Sequence, residues 1–186
     1  MKILISTAFI FLSISIFSQI DPNLSKPTWA IGKEKTINGN RITRIEGKND
    51  IAGATNIGYE TITQLLAEVE NMANNQMWSP EKKESTIKSY ETLAGGGAIS
   101  LYITRLTIDA ANTDMFTIII KDSTDNNEIL RQELDSDIPQ VPSTGSNYWW
   151  NYTTVTIPEK IEGKFYVYVI DKLGRENSKF KFEVNY

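Results

Sequence analysis

A run of aromatic residues is the most concentrated chemical feature of the chain. Residues 148–152 read YWWNY, so Tyr148, Trp150 and Tyr152 share one face of an extended strand. Three rings in a flat row can stack on sugar rings or bind an aromatic partner. These three residues are therefore our candidate ligand-binding site. The alternative is that another element of the fold covers this face, as is common for aromatic residues.

Acidic and amide side chains cluster in a predicted loop, residues 122–127. Asp122, Asp125 and Asn127 carry the oxygen ligands that Ca²⁺ prefers. Their spacing does not match the twelve-residue calcium loop, and Asp and Asn are also ordinary turn residues. We therefore take these three residues as candidate calcium ligands, with a plain turn as the alternative. No other cofactor is expected.

Catalysis would have to proceed without histidine or cysteine, because the chain contains neither. This excludes Ser-His-Asp and Cys-His arrangements and ordinary zinc sites. Glycoside cleavage by carboxylates needs two acids about 5–10 Å apart across a sugar site. Glu128 and Glu133 are predicted to point to opposite faces of one strand, and Asp171 lies at the end of another. The sequence therefore predicts no catalytic residue.

The first 18 residues have the organisation of a secretory signal. Lys2 precedes an apolar run over residues 3–17, with small residues near a cleavage site after Ser18 or, alternatively, Ser15. The run is shorter than the roughly 20 apolar residues that span a bilayer. We expect an exported mature chain without a membrane span, located in the periplasm, at the cell surface or outside the cell.

The charge of the chain argues against two classes of partner. Its formal net charge is −4, so nucleic acid and anionic lipid are poor partners. Arg41, Arg44 and Lys48 form one small basic cluster and Lys82-Lys83 another, and both are expected to be solvated surface. A glycan or an envelope protein is the expected partner, whereas the oligomeric state stays open.

Two elements are predicted in the first half of the mature chain. Asn38-Gly39 separates two β-compatible runs, which predicts a hairpin with a type I′ turn. Residues 50–58 are predicted to form a loop. Apolar residues recur every three or four positions over about 59–78, which predicts an amphipathic helix with Glu60 and Glu68 on its solvent side. Pro80 marks its end.

The second half of the chain has the alternation of β-strands. Strands are predicted over 86–93, 98–108, 115–121, 128–134, 148–157, 165–170 and 180–186. For the first of these segments a second short helix that starts at Ser79-Pro80-Glu81 is the alternative. A change of phase near Thr104-Arg105 predicts a β-bulge. Gly95–Gly97 is predicted to be a flexible turn or a point where two backbones approach closely.

Together these elements predict an α+β protein that is mainly β. Residues 84–186 are expected to form a seven-stranded antiparallel sandwich resembling immunoglobulin or fibronectin domains in architecture. Residues 19–83 are expected to form an N-terminal extension that contains the hairpin and the helix. Because such sandwiches carry many unrelated functions, this architecture implies no activity.

The functional hypothesis that follows is a non-catalytic exported binding or accessory protein of the cell envelope. Two alternatives stay open. One is a hydrolase that uses carboxylates alone, acting on polysaccharide. The other is a structural subunit that pairs with a neighbour through the edge of the strand over residues 148–157.

Overall fold

The structure is a computed structural model that describes residues 29–47, 53–142, 145–173 and 178–186. The predicted signal segment and Lys48 lie outside the described residues. The described part contains two α-helices, α1 (Ile62–Asn75) and α2 (Pro80–Leu93). Its strands are β1 (Glu34–Ile37), β2 (Asn40–Glu46), β3 (Thr55–Glu60), β4 (Ala98–Arg105), β5 (Phe116–Lys121), β6 (Glu128–Glu133), β7 (Trp149–Thr156), β8 (Phe165–Asp171) and β9 (Lys179–Asn185).

The strands form two antiparallel sheets, so the prediction of a mainly β protein is confirmed. The larger sheet has the order β1-β2-β9-β8-β5-β6, and the smaller has the order β3-β4-β7. Residue 84, the predicted start of the C-terminal domain, lies inside α2. Each sheet pairs a strand that precedes α2 in the sequence with one that follows it: β2 pairs with β9, and β3 pairs with β4.

The inward faces of both sheets contribute to one hydrophobic cluster. Ile99, Leu101 and Ile103 of β4 alternate inward, and the phenyl rings of Phe165 and Phe182 come from the larger sheet. These five side chains are fully buried, and burial of each stabilises the fold by about 1.5–3 kcal/mol. Period-two alternation therefore places the apolar residues in one shared core and leaves the opposite faces outward.

The hairpin prediction is confirmed. Asn38 and Gly39 have φ values of 50° and 79°, which is the left-handed pair that a type I′ turn requires. The hairpin extends the larger sheet, because β2 pairs with β9. Its turn also contacts α1: the Asn40 amide donates to the Tyr59 carbonyl at 2.8 Å and to the Gln64 side-chain oxygen at 2.9 Å.

The predicted amphipathic helix exists but begins later than expected. Tyr59 and Glu60 end β3, so the predictions of a loop to residue 58 and of helix from residue 59 are wrong at this boundary. Thr61 caps α1, and its hydroxyl accepts from the Gln64 backbone N–H while the Gln64 side chain binds the Thr61 N–H. This capping box fixes the start of the helix.

The predicted strand over residues 86–93 is wrong, because this segment belongs to α2. Ser79 caps the helix by accepting from the Lys82 N–H at 3.3 Å, and Pro80 occupies a first-turn position. Tyr90 is buried against α1. The start signal and this tertiary contact outweigh the strand preference of the β-branched residues, which is weak and depends on context.

The predicted β-bulge near Thr104-Arg105 is also wrong. Strand β4 pairs with β7 in unbroken register and ends at Arg105. Leu106 and Ile108 are exposed, so the change of phase marks the end of the strand. The close approach predicted at the triple glycine is confirmed, since a Cβ on Gly96 would lie 2.1 Å from a backbone oxygen of Glu159.

A buried ion pair connects the two sheets. Arg105 of β4 binds Asp171 of β8 through Nη2 at 2.8 Å, and both side chains are only 4% exposed. The guanidinium also donates to the Ala54 carbonyl at 2.7 Å and to the Thr55 hydroxyl at 2.8 Å. Burial lowers the pKa of Arg105, and the bond and charge of Asp171 oppose that shift. The pair is therefore fully partnered inside the protein.

Replacement of Arg105 by methionine should destabilise the fold by about 3–5 kcal/mol, because it leaves the Asp171 carboxylate buried without its cation. Combining Arg105→Met with Asp171→Leu should recover part of this loss, since both charges are then absent. Urea unfolding of the two single variants and the double variant measures the coupling. Additive losses would show that the pair does not link the sheets energetically.

Candidate functional site

The aromatic row lies on the outward face of the smaller sheet. Strand β7 is an edge strand, and Trp150 and Tyr152 alternate with the buried inward residues Asn151 and Val155. Tyr148 precedes the strand and is 36% exposed. Trp150 and Tyr152 therefore share the outward face of β7, as predicted, whereas Tyr148 lies outside the strand.

Trp150 does not stand alone on this face. Its ring stacks on Tyr102 of β4, with centroids 6.1 Å apart and an interplanar angle of 23°. Gln140 pairs with its backbone, donating to the Trp150 carbonyl at 2.7 Å. Trp150 is half-buried and Tyr102 is buried, so the indole is held in place and only partly accessible.

Tyr152 is more strongly engaged than Trp150. Its hydroxyl donates to the Ser100 hydroxyl at 2.8 Å, and Ser100 is buried. Burial raises the pKa of Tyr152, an effect that Ser100 opposes and the nearby carboxylates of Glu60 and Glu68 increase. Tyr152 therefore supports the aromatic face more than it exposes a ring to a ligand.

The helices cover the other end of the same outward face. Ala98 of β4 belongs to a second hydrophobic cluster with Leu65, Val69, Tyr90 and Ala94. The face is thus divided into a covered part beneath α1 and α2 and a half-buried part at Trp150. Cover by another element, the alternative raised by the sequence, is thus found at the Ala98 end of the face, whereas ligand binding at Trp150 stays a prediction.

A pair of carboxylates lies at the boundary between the helices and the sheet. Glu60, at the end of β3, is 6% exposed and hydrogen-bonds to Glu68 of α1. Burial, followed by the charge and hydrogen bond of Glu68, raises the pKa of Glu60 to about 7. Burial and these two acids also raise the pKa of Tyr90 to about 12. At neutral pH the Glu60 carboxyl is therefore protonated in a substantial fraction of the molecules.

This pair of carboxylates was not predicted from the sequence. Glu60 was expected on the solvent side of a helix, but it is a buried strand residue. The capping signal Thr61-x-x-Gln64 could have located the strand end. The strand pairing and the helix orientation that bring Glu60 to Glu68 are tertiary features without a local sequence signal.

Two of the candidate calcium ligands, Asp122 and Asn127, hydrogen-bond to each other, whereas Asp125 has a cationic partner. Asp122 accepts from the Asn127 side-chain amide at 2.6 Å and from the Thr124 hydroxyl at 2.8 Å. These hydrogen bonds lower the pKa of Asp122 to about 2. Asp125 instead binds Lys181 at 2.7 Å. Within the described ranges, no three acidic residues are placed to share a metal ion.

The three acids considered for glycoside cleavage are also separated. Glu128 binds Arg131 at 2.6 Å, Glu133 binds Lys172 at 3.2 Å, and Asp171 binds Arg105. Each carboxylate therefore has a different cationic partner. The prediction that Arg44 is solvated is also wrong. This residue is fully buried, donates to the Trp29 carbonyl at 2.6 Å and lies over the Phe180 ring.

No family model matches the sequence, and no curated protein or solved structure matches it either. Neither α1 nor α2 is long and apolar enough to cross a membrane.

Substitution of Glu60 by glutamine should remove a pH dependence of stability. The folded protein holds the Glu60 proton up to about pH 7, whereas the unfolded chain loses it near pH 4.3. Folding therefore binds a proton in this window, and the free energy of unfolding falls as pH rises from about 4 to 7. Glu60→Gln keeps a hydrogen-bond donor without the charge, so above pH 7 it should exceed the original protein by roughly 1–3 kcal/mol.

Urea unfolding followed by tryptophan fluorescence between pH 4.5 and 8 measures this difference. Glu70→Gln is a matched control, because Glu70 lies on α1 and pairs at the surface with Lys83. Parallel pH profiles for the original protein and Glu60→Gln would rule out a raised pKa at Glu60.

Proposed function

We propose that the mature chain is an exported, non-catalytic binding protein of the cell envelope whose ligand is a glycan. The binding surface is the aromatic patch at Trp150, whose half-buried indole stacks on the buried Tyr102, together with the exposed Tyr148 that precedes β7 in the sequence. The observation that carries the proposal is the Trp150–Tyr102 stack, which holds a partly accessible indole on an outward sheet face. A fixed aromatic plane of this kind binds a sugar ring with little loss of conformational entropy.

Export is part of the proposal and is supported by the N-terminal sequence alone. We also propose that the two sheets form a sandwich of immunoglobulin or fibronectin type, supported by the hydrophobic cluster that both sheets share. Calcium at Asp122, Asp125 and Asn127 stays a hypothesis that rests on the oxygen ligands of these residues, so the binding assays include Ca²⁺ as a variable.

A hydrolytic function has weaker support. Glu60 has the raised pKa of a general acid and lies beside a second carboxylate, Glu68. However, the two carboxylates touch through a hydrogen bond, whereas glycosidic pairs are separated by about 5 Å or more to admit the sugar. Direct contact fits a structural role between α1 and β3 better than a catalytic one.

Pairing through the edge of β7 is supported by the position of this strand at the end of the smaller sheet. Gln140 already occupies part of the edge at Trp150, and Asn151 donates to the Asp137 carbonyl at 2.8 Å. These contacts reduce the length of edge that a neighbour could use.

Replacement of Trp150 by alanine should weaken glycan binding by about tenfold or more, because the stacking plane is lost. The mature protein is first screened on an array of neutral and acidic oligosaccharides, with and without Ca²⁺. The best array oligosaccharide is then titrated by calorimetry into the original protein, Trp150→Ala and Trp150→Phe. The phenylalanine variant should retain an intermediate affinity, since it keeps an aromatic ring.

Trp78→Ala is the matched control, because Trp78 is another half-buried indole, stacked by Lys82 at 4.0 Å and remote in sequence from β7. It should leave the affinity unchanged. Unchanged binding in Trp150→Ala, or an array without any bound glycan, would contradict the proposal.

A further inference from the structure

The outward face of the larger sheet carries a second surface that the aromatic patch does not explain. It alternates with the buried core residues of β5, β8 and β9, so its side chains point away from the shared core. We name it the lysine–tyrosine face and define it by Lys121, Tyr166, Tyr168, Lys179 and Lys181. The sequence predicted a solvated face for β9, but the tyrosines come from β8 and the third lysine from β5.

The lysines of this face are held against the tyrosine rings. Lys179 Nζ lies 5.1 Å from the centroid of Tyr168, and Lys121 Nζ lies 5.4 Å from the same ring. Lys181 Nζ lies 4.5 Å from the Tyr166 centroid. Contacts of this kind stabilise a cation by about 0.5–1 kcal/mol at exposed sites, so the ammonium groups are positioned before any ligand arrives.

Asp125 supports the arrangement from the neighbouring loop. Its backbone adopts φ 64°, and its carboxylate accepts from Lys181 Nζ and from the Tyr168 hydroxyl, both at 2.7 Å. Burial opposes the charge of Lys181, but the hydrogen bonds to Asp125 and Tyr168 raise its pKa. Lys181 is thus a fixed internal partner. Lys121 also contacts Asp125, at 3.9 Å from its carboxylate and 3.2 Å from its carbonyl oxygen, but Lys121 and Lys179 are the more exposed cations.

A cleft of about 220 Å³ opens between these cations. Apolar parts of Ile119, Ile170 and Tyr168 line it together with three cationic side chains, Lys121, Arg131 and Lys179, and none of its described lining residues is acidic. An apolar surface with cations around it fits a ring that carries a carboxylate. The volume accommodates one sugar ring, below the range of drug-sized sites.

The acidic partners of these cations do not prevent binding. Lys121 lies 3.9 Å from the half-buried Asp125 carboxylate, a distance at the outer limit of an ion pair. Arg131 pairs with Glu128, and Lys179 pairs with Glu46 at 3.5 Å, both at largely exposed positions. Exposed pairs of this kind contribute only about 0–1 kcal/mol, so a ligand carboxylate can compete for the same cations. Long-range attraction is small because the whole chain is negative, which disfavours densely charged nucleic acid relative to a polymer with one carboxylate per sugar.

We propose that the lysine–tyrosine face is a binding site for an acidic polysaccharide, with the carboxylate of a uronic acid residue held between Lys121, Lys179 and Arg131 in this cleft. The site is separate from the Trp150 patch and does not depend on it. It extends the proposed function by adding a second surface with a defined ligand class.

The test uses polygalacturonate as the probe, with carboxyl-reduced polygalacturonate as the matched neutral polymer. The mature protein should be retarded by polygalacturonate in affinity electrophoresis, and the reduced polymer should have no effect. Lys121→Gln combined with Lys179→Gln should weaken binding by about tenfold or more. Arg131→Gln, a milder exposed change, should weaken it by a smaller factor, and both effects should shrink as salt rises.

Lys33→Gln combined with Lys88→Gln is the control, because it makes the same change in net charge at exposed positions on other elements. It and Trp150→Ala should bind polygalacturonate like the original protein, which separates this site from the aromatic patch. Thermal unfolding verifies that each variant is folded.

The proposal would be overturned by absence of binding to polygalacturonate at low salt, by equal loss in the Lys33/Lys88 control, or by equal binding of the carboxyl-reduced polymer. Competition by a DNA oligonucleotide of the same total charge at equal strength would also overturn it, since the face would then bind any polyanion.

Discussion

The arrangement of the two sheets depends on how one charged pair is accommodated between them. Arg105 ends an otherwise apolar inward face, and a charge in that position is costly unless it is fully bonded. Asp171 on the opposing sheet, the Ala54 carbonyl and the Thr55 hydroxyl provide those bonds. They fix the end of β4 relative to β8 and β3, so the register of both sheets is coupled at one corner of the core.

The outward faces of the two sheets are covered in different ways. Side chains alternate strictly along a strand, so every core residue determines which neighbours face away from the core. The smaller sheet places α1 and α2 over part of its outward face and leaves Trp150 partly accessible. The larger sheet has no helix over β5, β8 and β9 in the described contacts, and lysines stacked on tyrosines shield its outward face instead. The Trp150 patch and the lysine–tyrosine face thus result from two different ways of shielding an outward sheet face from solvent.

Much of the strand content could be predicted because period-two alternation is a local signal. The hairpin at Asn38-Gly39 and the face of Trp150 follow from residues close in sequence. The errors arise where local and tertiary preferences conflict: α2 contains strand formers but has a good cap and a buried Tyr90. Glu60 and Arg44 were assigned to the surface because charged residues are rarely buried. Their partners, Glu68 and the Trp29 carbonyl, lie in other elements. The Trp150–Tyr102 stack and the tyrosines beneath Lys179 and Lys181 were missed for the same reason, since each depends on strand pairing.

Both surfaces share a physical property that favours weak but specific recognition of an extended ligand. The indole of Trp150 is fixed by Tyr102, and the ammonium of Lys179 is fixed by Tyr168, so little side-chain entropy remains to be lost on binding. Neither surface is a deep cavity, which limits the affinity that a single sugar can reach. Because the outward faces point away from a common core, one sugar unit cannot contact both. A polymer that engaged both surfaces would therefore have to pass around the protein, and its apparent affinity would depend on the length of chain between the two contacts.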